Sequence, residues 1–447
     1  MSFDVIIIGA GPGGCRAANV LASAGKSVAL ISQTLGGECL NYGCIPTKTY
    51  LWTTELFEKI SQSQNFGLKT TEIKLDWEAM KQRRKQVVEK LKKGLKFTLE
   101  RAGVKIIEGT GALQDASTIT VTQPSTLNQE PSTLSASHII LATGSWAVSP
   151  KGFETGGKIV SSREILDLPQ VPQKLLIIGG GAIGVEFASI FSTLGSQVTI
   201  AEMADRLIPN EDPDVSAELA RLFARKNIII KTKTLITPEQ ITDYDCVLVA
   251  VGRKPVTQGL GLERSGIRTG EHGVIETNDF FQTSAPAIFA IGDLAGKALL
   301  AYSAEREADI AAAFILGKKP KPLLYSTVPN TIFSSPEIAS IGLTEPAARQ
   351  KGMDIIIGKA PYSANAKALI VDSRDGFAKI IAEKSSHKIL GIHIIGEKAT
   401  ELIAEASLAI TYKLTLEDFA ENIHSHPILG EILKDACEAA LFYVRGA

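Results

Sequence analysis

Sulfur and aromatic residues are scarce in this chain of 447 residues: five cysteines, four methionines and three tryptophans, with aromatics at 6%. A low, odd cysteine count argues against the disulfide-stapled scaffold of a small secreted domain. An excess of either charge is missing too, since 47 basic residues face 48 acidic ones. That balance removes the field with which a nucleic-acid or membrane-surface binder works, so no nucleic acid and no membrane is expected as a partner. No uncharged apolar run approaches membrane-spanning length. The first apolar run, Asp4-Val5-Ile6-Ile7-Ile8, begins almost at Met1, which leaves no room for a signal or transit peptide; a cytoplasmic protein is expected.

What the chain has in plenty is glycine, 39 residues, and 45% hydrophobic residues, a balance that suits an α/β protein with many close-packed turns. Its length calls for two to four domains. Val5 to Ile8 runs into Gly9-Ala10-Gly11-Pro12-Gly13-Gly14, a helical pattern follows to about Ala24, and Val28-Ala29-Leu30-Ile31 reads as a second strand. Strand, glycine turn, helix, strand is the order of a dinucleotide-binding unit, in which the first glycine makes the turn, the second admits a pyrophosphate and the third lets helix pack on strand. The order recurs at Leu175 to Ile178, Gly179 to Gly184, a helix to Leu194, and Val198 to Glu202. Two nucleotide sites on one chain follow. Between them a charged helix is expected over Asp76 to Arg101 and β-structure over Val104 to Ala142, with Thr122 to Ser137 as a surface loop or hairpin end. After Pro322 a hairpin (Phe377 to Ala382, Ile389 to Ile395) and helices at Ala399 to Lys413 and Gly430 to Val444 suggest an α+β module.

The chemistry is carried by Gly36-Gly37-Glu38-Cys39-Leu40-Asn41-Tyr42-Gly43-Cys44-Ile45-Pro46-Thr47-Lys48 and, far downstream, by His424-Ser425-His426-Pro427. Read alone, the Cys39/Cys44 pair is compatible with a redox disulfide, two structural thiols or half a metal site. With no second cysteine pair and no clustered histidines, a metal is disfavoured and none is expected. In a reducing compartment a close pair points to catalysis. Thiol exchange needs a group to take and return a proton, and a histidine such as His426 titrates in the right range. Cys15, Cys246 and Cys437, each inside an apolar helix or strand pattern, read as packing residues.

On these motifs, with Leu141-Ala142-Thr143-Gly144 and Ile288-Phe289-Ala290-Ile291-Gly292-Asp293, the chain resembles the flavin-dependent pyridine nucleotide–disulfide oxidoreductases over nearly its whole length. It is most similar to the branch that oxidises dihydrolipoyl groups. The resemblance implies an α/β fold class: two Rossmann-like dinucleotide-binding domains, one for FAD and one for NAD, with a C-terminal α+β interface (dimerisation) domain. It divides the chain into 1–145 (FAD, with the redox disulfide), 146–275 (NAD), 276–322 (a central part returning to FAD) and 323–447 (interface). FAD contacts are implied at Gly9, Gly11, Gly14, Ser32, Lys48, Thr143, Gly144 and Asp293, the last on the ribityl chain. NAD contacts are implied at Gly179, Gly181, Gly184, Glu202 and Gly252.

By the same resemblance Cys39 exchanges with substrate, and Cys44 is the charge-transfer thiolate. Lys48 lies by the flavin and pairs with Glu186. His426 is the acid–base group, is oriented by Glu431 and comes from the partner subunit of a homodimer, so that two shared sites form. The expected partner is a lipoyl-bearing protein of a 2-oxo acid dehydrogenase or related complex. Glu202 at the end of the second unit's second strand favours NAD over NADP, and Arg206 is the only arginine near it. The alternatives are a reductase of another disulfide, as in glutathione reductases, a mercuric reductase, whose C-terminal cysteine pair is missing here, and a flavoprotein that does not turn over. The chain departs from the family at Ser32, where a glutamate is usual and the following loop is shorter, at Ile428 for threonine, at Tyr302 for histidine and at Tyr42 for a smaller apolar residue.

Overall fold

The computed structural model describes residues 1–123 and 132–445. By its internal contacts the chain divides into two units, one of Met1–Thr49, Glu78–Val148 and Gly252–Tyr325, the other of Tyr50–Trp77, Ser149–Val251 and Ser326–Ala447. Strands and helices are numbered along the chain.

Isoleucine and valine runs without polar alternation bury both faces of a strand, which is the habit of a parallel sheet covered by helices. In the first unit β1 (Ser2–Ile8) has Val5 to Ile8 buried and pairs parallel with β2 (Val28–Ser32) and β6 (Ser132–Leu141). β3 (Lys105–Glu108) extends the parallel set beyond β2, and β14 (Ile288–Ala290) lies beside β6. β5 (Thr118–Thr122) pairs antiparallel with β6, and β4 (Thr110–Leu113) pairs antiparallel with β5. Helix α1 (Pro12–Ser23) starts with proline at its first position, where the missing N–H costs nothing, and packs against α7 (Ala301–Ile315). The sheet order β3-β2-β1-β6 reverses direction at β1, and at such a switch point the carboxyl ends of the strands leave a crevice. One expectation is corrected here: Ser132 to Ser137 belong to β6, paired with β5, and the rest of the expected loop beyond Gln123 lies outside the described residues.

The second unit repeats the plan. β9 (Lys174–Ile178) is central in an all-parallel sheet of order β11-β10-β9-β12-β8, with β10 (Gln197–Ala201), β11 (Ile229–Lys231), β12 (Cys246–Val249) and β8 (Ile159–Val160). Helix α5 (Ala182–Thr193) follows its glycine loop, and α6 (Pro213–Arg225) is capped by Asp212, whose side chain accepts the Asp214 N–H. The same unit carries an antiparallel sheet, β15 (Asn330–Ile332), β16 (Ile338–Gly342), β19 (Ile389–Ile395), β18 (Phe377–Glu383) and β17 (Ile355–Pro361) in spatial order. Two short helices, α8 (Glu345–Gln350) and α9 (Ala366–Ile370), connect its strands. Helices α10 (Ala399–Tyr412), α11 (Leu416–Ala420) and α12 (Glu431–Arg445) bury an apolar core against it. The short α11, started by a Thr415/Asp418 capping box, has too few residues to show a period.

The partition differs from the expected boundaries. Residues 252–275, expected with the second nucleotide fold, cluster with the first unit. The cause is pairing across the chain: β13 (Arg253–Pro255) is antiparallel to β7 (Ser145–Ala147), and the Leu113 N–H donates to Leu260 O. Tyr50–Trp77 belong to the second unit, so the boundary falls inside α3 (Cys44–Ser61), ahead of α4 (Trp77–Arg101).

Candidate active site and nucleotide cradles

The Cys39/Cys44 pair sits at the start of two helices. Cys39 lies in α2 (Gly37–Asn41), Cys44 opens α3, and both half-buried sulfurs are free thiols. Pro46 in the first turn of α3 leaves no lost hydrogen bond, and the peptide dipoles at that helix N-terminus favour a thiolate. The Cys39 thiol is hydrogen-bonded to Cys44, and this, with burial and the neighbouring sulfur's charge, pushes its pKa well up; the Lys48 ammonium one turn into α3 pulls the other way.

Around the pair the first unit assembles the first glycine loop. Gly9 has φ +107°, and a Cβ there would sit 2.2 Å from Ala142 O. A Cβ on Gly14 would meet Gly9 O at 2.0 Å, so helix and turn touch only because it is absent. Gly11 is different: a Cβ there meets nothing within 4 Å, and no side chain caps the α1 N-terminus. Free N–H groups at a helix start with open space before them fit an anionic pyrophosphate. Thr143 donates to Val256 O at 2.7 Å, and Gly144 O accepts the Val256 N–H at 2.9 Å, so the turn after β6 is tied to the residue after β13. Asp293 accepts a short hydrogen bond from the Ser145 hydroxyl. Arg253 donates to Ser145 Oγ at 2.8 Å and to Ser145 O at 2.7 Å, and lies 3.4 Å from Glu38 Oε1. Ser145 and Arg253 carried no sequence signal, because the partners are more than a hundred residues apart. Gly292, next to Asp293, donates its N–H to the buried Glu307 carboxylate at 2.6 Å; burial pushes that carboxyl's pKa up. Ser32, at the end of β2, donates its hydroxyl to Thr34 O at 2.9 Å.

The second glycine loop copies the first, with Gly179 at φ +107°, Gly184 against Gly179 O, and open space over Gly181. Glu202 accepts the Gly180 N–H at 2.6 Å and the Ala204 N–H at 2.7 Å, which fixes its carboxylate beside the loop with lone pairs to spare for ribose hydroxyls. Gly252, expected on NAD, belongs to the first unit. Glu186 on α5 is buried and accepts the Phe333 N–H at 2.9 Å.

The histidine segment lies in the second unit. His426 Nδ1 is 3.0 Å from Glu431 Oε1, while Glu431 Oε2 accepts the Ile428 N–H. Hydrogen bonding from His426 and the Ile428 amide holds the Glu431 carboxyl below its usual range. The imidazole is otherwise exposed, its side chain 70% accessible. The His424 side chain, 5% exposed, lies against Phe419 with Nε2 3.0 Å from Glu405, an anchor for the segment. Buried Asn365 donates to Ile428 O from β17's exit, so the substituted isoleucine contributes by its backbone. Unit one thus gathers Cys39, Cys44, Lys48 and the first cradle; unit two gathers His426, Glu431, Glu186 and the second. Among the described residues no helix is long and apolar enough to cross a membrane, and no His, Cys, Asp or Glu group could hold a metal ion.

Residues 3–308 match the family described as pyridine nucleotide-disulphide oxidoreductase, and residues 328–437 match the dimerisation domain of the same name. The dihydrolipoyl dehydrogenase of Chlamydia muridarum is 38% identical over 98% of this chain and 97% of its own length. That of Bacillus subtilis is 36% identical over 98% of each. Among solved structures, LpdA from Mycobacterium tuberculosis superposes with a TM-score of 0.90 at 26% identity, covering 97% of this chain and 98% of its own. The HOCl-induced flavoprotein disulfide reductase RclA from Escherichia coli gives 0.87 at 28%, covering 97% and 99%.

Proposed function

Because this chain belongs to the pyridine nucleotide-disulphide oxidoreductases, we propose that it is a dihydrolipoyl dehydrogenase: it oxidises protein-bound dihydrolipoamide to lipoamide and reduces NAD to NADH through a Cys39–Cys44 disulfide. The observation that carries the reading is the Cys39/Cys44 pair, one on α2 and the other at the head of α3, in the same unit as a glycine cradle that fits a pyrophosphate.

FAD, held at the first glycine loop, would supply the electron-carrying chemistry between the reduced cysteines and NAD. The protein's own groups do the rest. His426 takes the proton of one dihydrolipoyl thiol, and the resulting thiolate attacks Cys39 Sγ. The Cys39–Cys44 bond breaks and Cys44 leaves as thiolate, a charge that Lys48 and the α3 terminus stabilise. The second dihydrolipoyl sulfur attacks the substrate sulfur of the mixed disulfide and releases lipoamide; His426 gives its held proton to the departing Cys39 sulfur and takes that of the second thiol. Glu431 keeps the imidazole oriented and stabilises its charged form. Glu202 accepts the NAD ribose hydroxyls and repels the extra phosphate of NADP.

The dimerisation domain supports a homodimer, and His426, exposed and outside the unit that holds the cysteines, suits a group offered to a partner's site. A lipoyl-bearing protein of a 2-oxo acid dehydrogenase or related complex is the partner we assign, in the cytoplasm. Likeness to a flavoprotein disulfide reductase keeps one second reading, NAD(P)H-dependent reduction of another disulfide. The test is NADH formation by FAD-loaded protein from dihydrolipoamide and NAD, beside NADPH oxidation with glutathione disulfide, with Cys44→Ser as control. Fast NADH formation lost in Cys44→Ser supports the first reading; activity with NADPH and glutathione disulfide alone overturns it.

A further inference from the structure

The two glycine-loop units repeat one another, and the repeat breaks at one place. Ser32 follows Gly9 at the same offset at which Glu202 follows Gly179. In both sheets the strand that ends there lies beside the glycine-loop strand, with one further parallel strand outside it. In the second unit Ala201 pairs with Lys231 on β11, the Glu202 N–H donates to Lys231 O, and Glu202 O accepts the Thr234 N–H, so no carboxylate stands on the strand outside Glu202. In the first unit Ser32 pairs with Glu108 on β3, and the Gly109 N–H donates to Ser32 O. Where the second unit places a carboxylate after its second strand, the first places a hydroxyl there and a carboxylate on the strand outside it.

Residues in register on parallel strands project from the same face, about 4.8 Å apart, a gap the longer glutamate side chain spans. The Glu108 side chain is exposed and, among the described residues, makes no hydrogen bond or ion pair. Ser32 cannot replace a carboxylate: its hydroxyl proton is given to Thr34 O, and the oxygen also faces the Thr34 N–H. A ribose offers two hydroxyl donors, which a carboxylate satisfies with charge assistance and a used hydroxyl does not.

We propose that Glu108 is the residue that grips the adenosine ribose of FAD, filling from β3 the role that Glu202 fills from β10 for NAD. The proposal rests on the reading that the first unit holds FAD. Apo-protein is titrated with FAD and with FMN, which lacks the adenosine, following flavin fluorescence, for the unaltered chain, Glu108→Gln, Glu108→Gln/Ser32→Glu and, as a control at the exposed residue next to Ser32, Gln33→Ala. Glu108→Gln weakens FAD binding about tenfold or more, the loss of one charge-assisted contact, and leaves FMN binding unchanged. Ser32→Glu restores FAD affinity in the double variant. Unchanged FAD affinity in Glu108→Gln, an equal loss for FMN, or a loss reproduced by Gln33→Ala overturns the proposal while leaving FAD in the first unit. An unaltered chain that takes up no FAD overturns the reading beneath it as well.

Discussion

A raised Cys39 pKa has a direct consequence at the level of the single residue. The thiolate is the nucleophile, so a thiol held protonated by its bond to Cys44 and by burial reacts slowly at neutral pH. Iodoacetamide modification of Cys39 in the reduced protein is expected to be slower at pH 7.5 than that of a free thiol, whose pKa is about 8.5. Its rate should still be climbing above that pH; a plateau below pH 8, followed by peptide mapping, would show the thiol to be activated already. Glu202 makes a second residue-scale prediction. Replacing it by alanine removes one charge-assisted contact, worth about 1.5–3 kcal/mol, so the KM for NAD rises tenfold or more while kcat changes little. The preference for NAD over NADP shrinks at the same time, and an unchanged ratio of the two would remove Glu202 from nucleotide choice. Both residues were legible in the sequence, because a glycine loop and a cysteine spacing are local patterns. The Ser145 and Arg253 contacts to Asp293 and Glu38 were not, since nothing in either segment marks its distant partner.

Between elements, the heaviest polar joint in the second unit is Lys379 on β18. Its side chain is 1% exposed and donates to Asp212, Asp214 and Glu345 at 2.9, 3.1 and 2.8 Å. It thereby holds the N-cap of α6 and the first turn of α8 against the antiparallel sheet. Burial works to raise the Asp212 and Glu345 carboxyls, yet hydrogen bonds from the Glu345 amide and Lys379 to Asp212, and from Lys379 and Arg349 to Glu345, hold both below their usual values. Burial likewise lowers Lys379, but its three carboxylates outweigh that and raise it. Lys379→Met strands the buried Asp212 charge and should cost roughly 3–5 kcal/mol, read as a lower unfolding midpoint in urea. The joint's stabilisation is whole above the unfolded carboxyl values near 4 and fades as pH falls through the depressed folded ones. At the other end it is present below about 10.4 and fades as pH rises through the raised Lys379 value. Thermal unfolding across pH should show these limbs in the unaltered chain and a shallower acid limb in Lys379→Met. At this scale strand and helix assignments followed from apolar runs and proline or glycine stops. The short α11 and the pairing of β7 with β13 did not, the first for want of a period and the second because antiparallel partners lie far apart in sequence.

At the scale of the molecule, a site shared between subunits can be tested by complementation. Cys44→Ser and His426→Gln are each expected to lose activity, the second by about 10²–10⁴. Coexpressed, they form hybrid dimers in which one site joins the intact cysteines of one chain to the intact histidine of the other. Activity should return on coexpression, up to one working site per hybrid, and activity no higher than that of the separate parents would mean that His426 serves its own chain. The sequence by itself determined the two glycine cradles, the thiol pair and the His426–Glu431 pair, because each depends on residues within one loop and its flanking turn. Tertiary structure alone decided where the units divide and what surrounds the cradles. Residues 252–275 pack with the first unit through β13 and Leu260, His424 is an anchor on Phe419 and Glu405, and Glu108 stands beside Ser32. Those outcomes are set by strand register and packing between segments far apart in the chain, which a pattern of neighbouring residues does not encode.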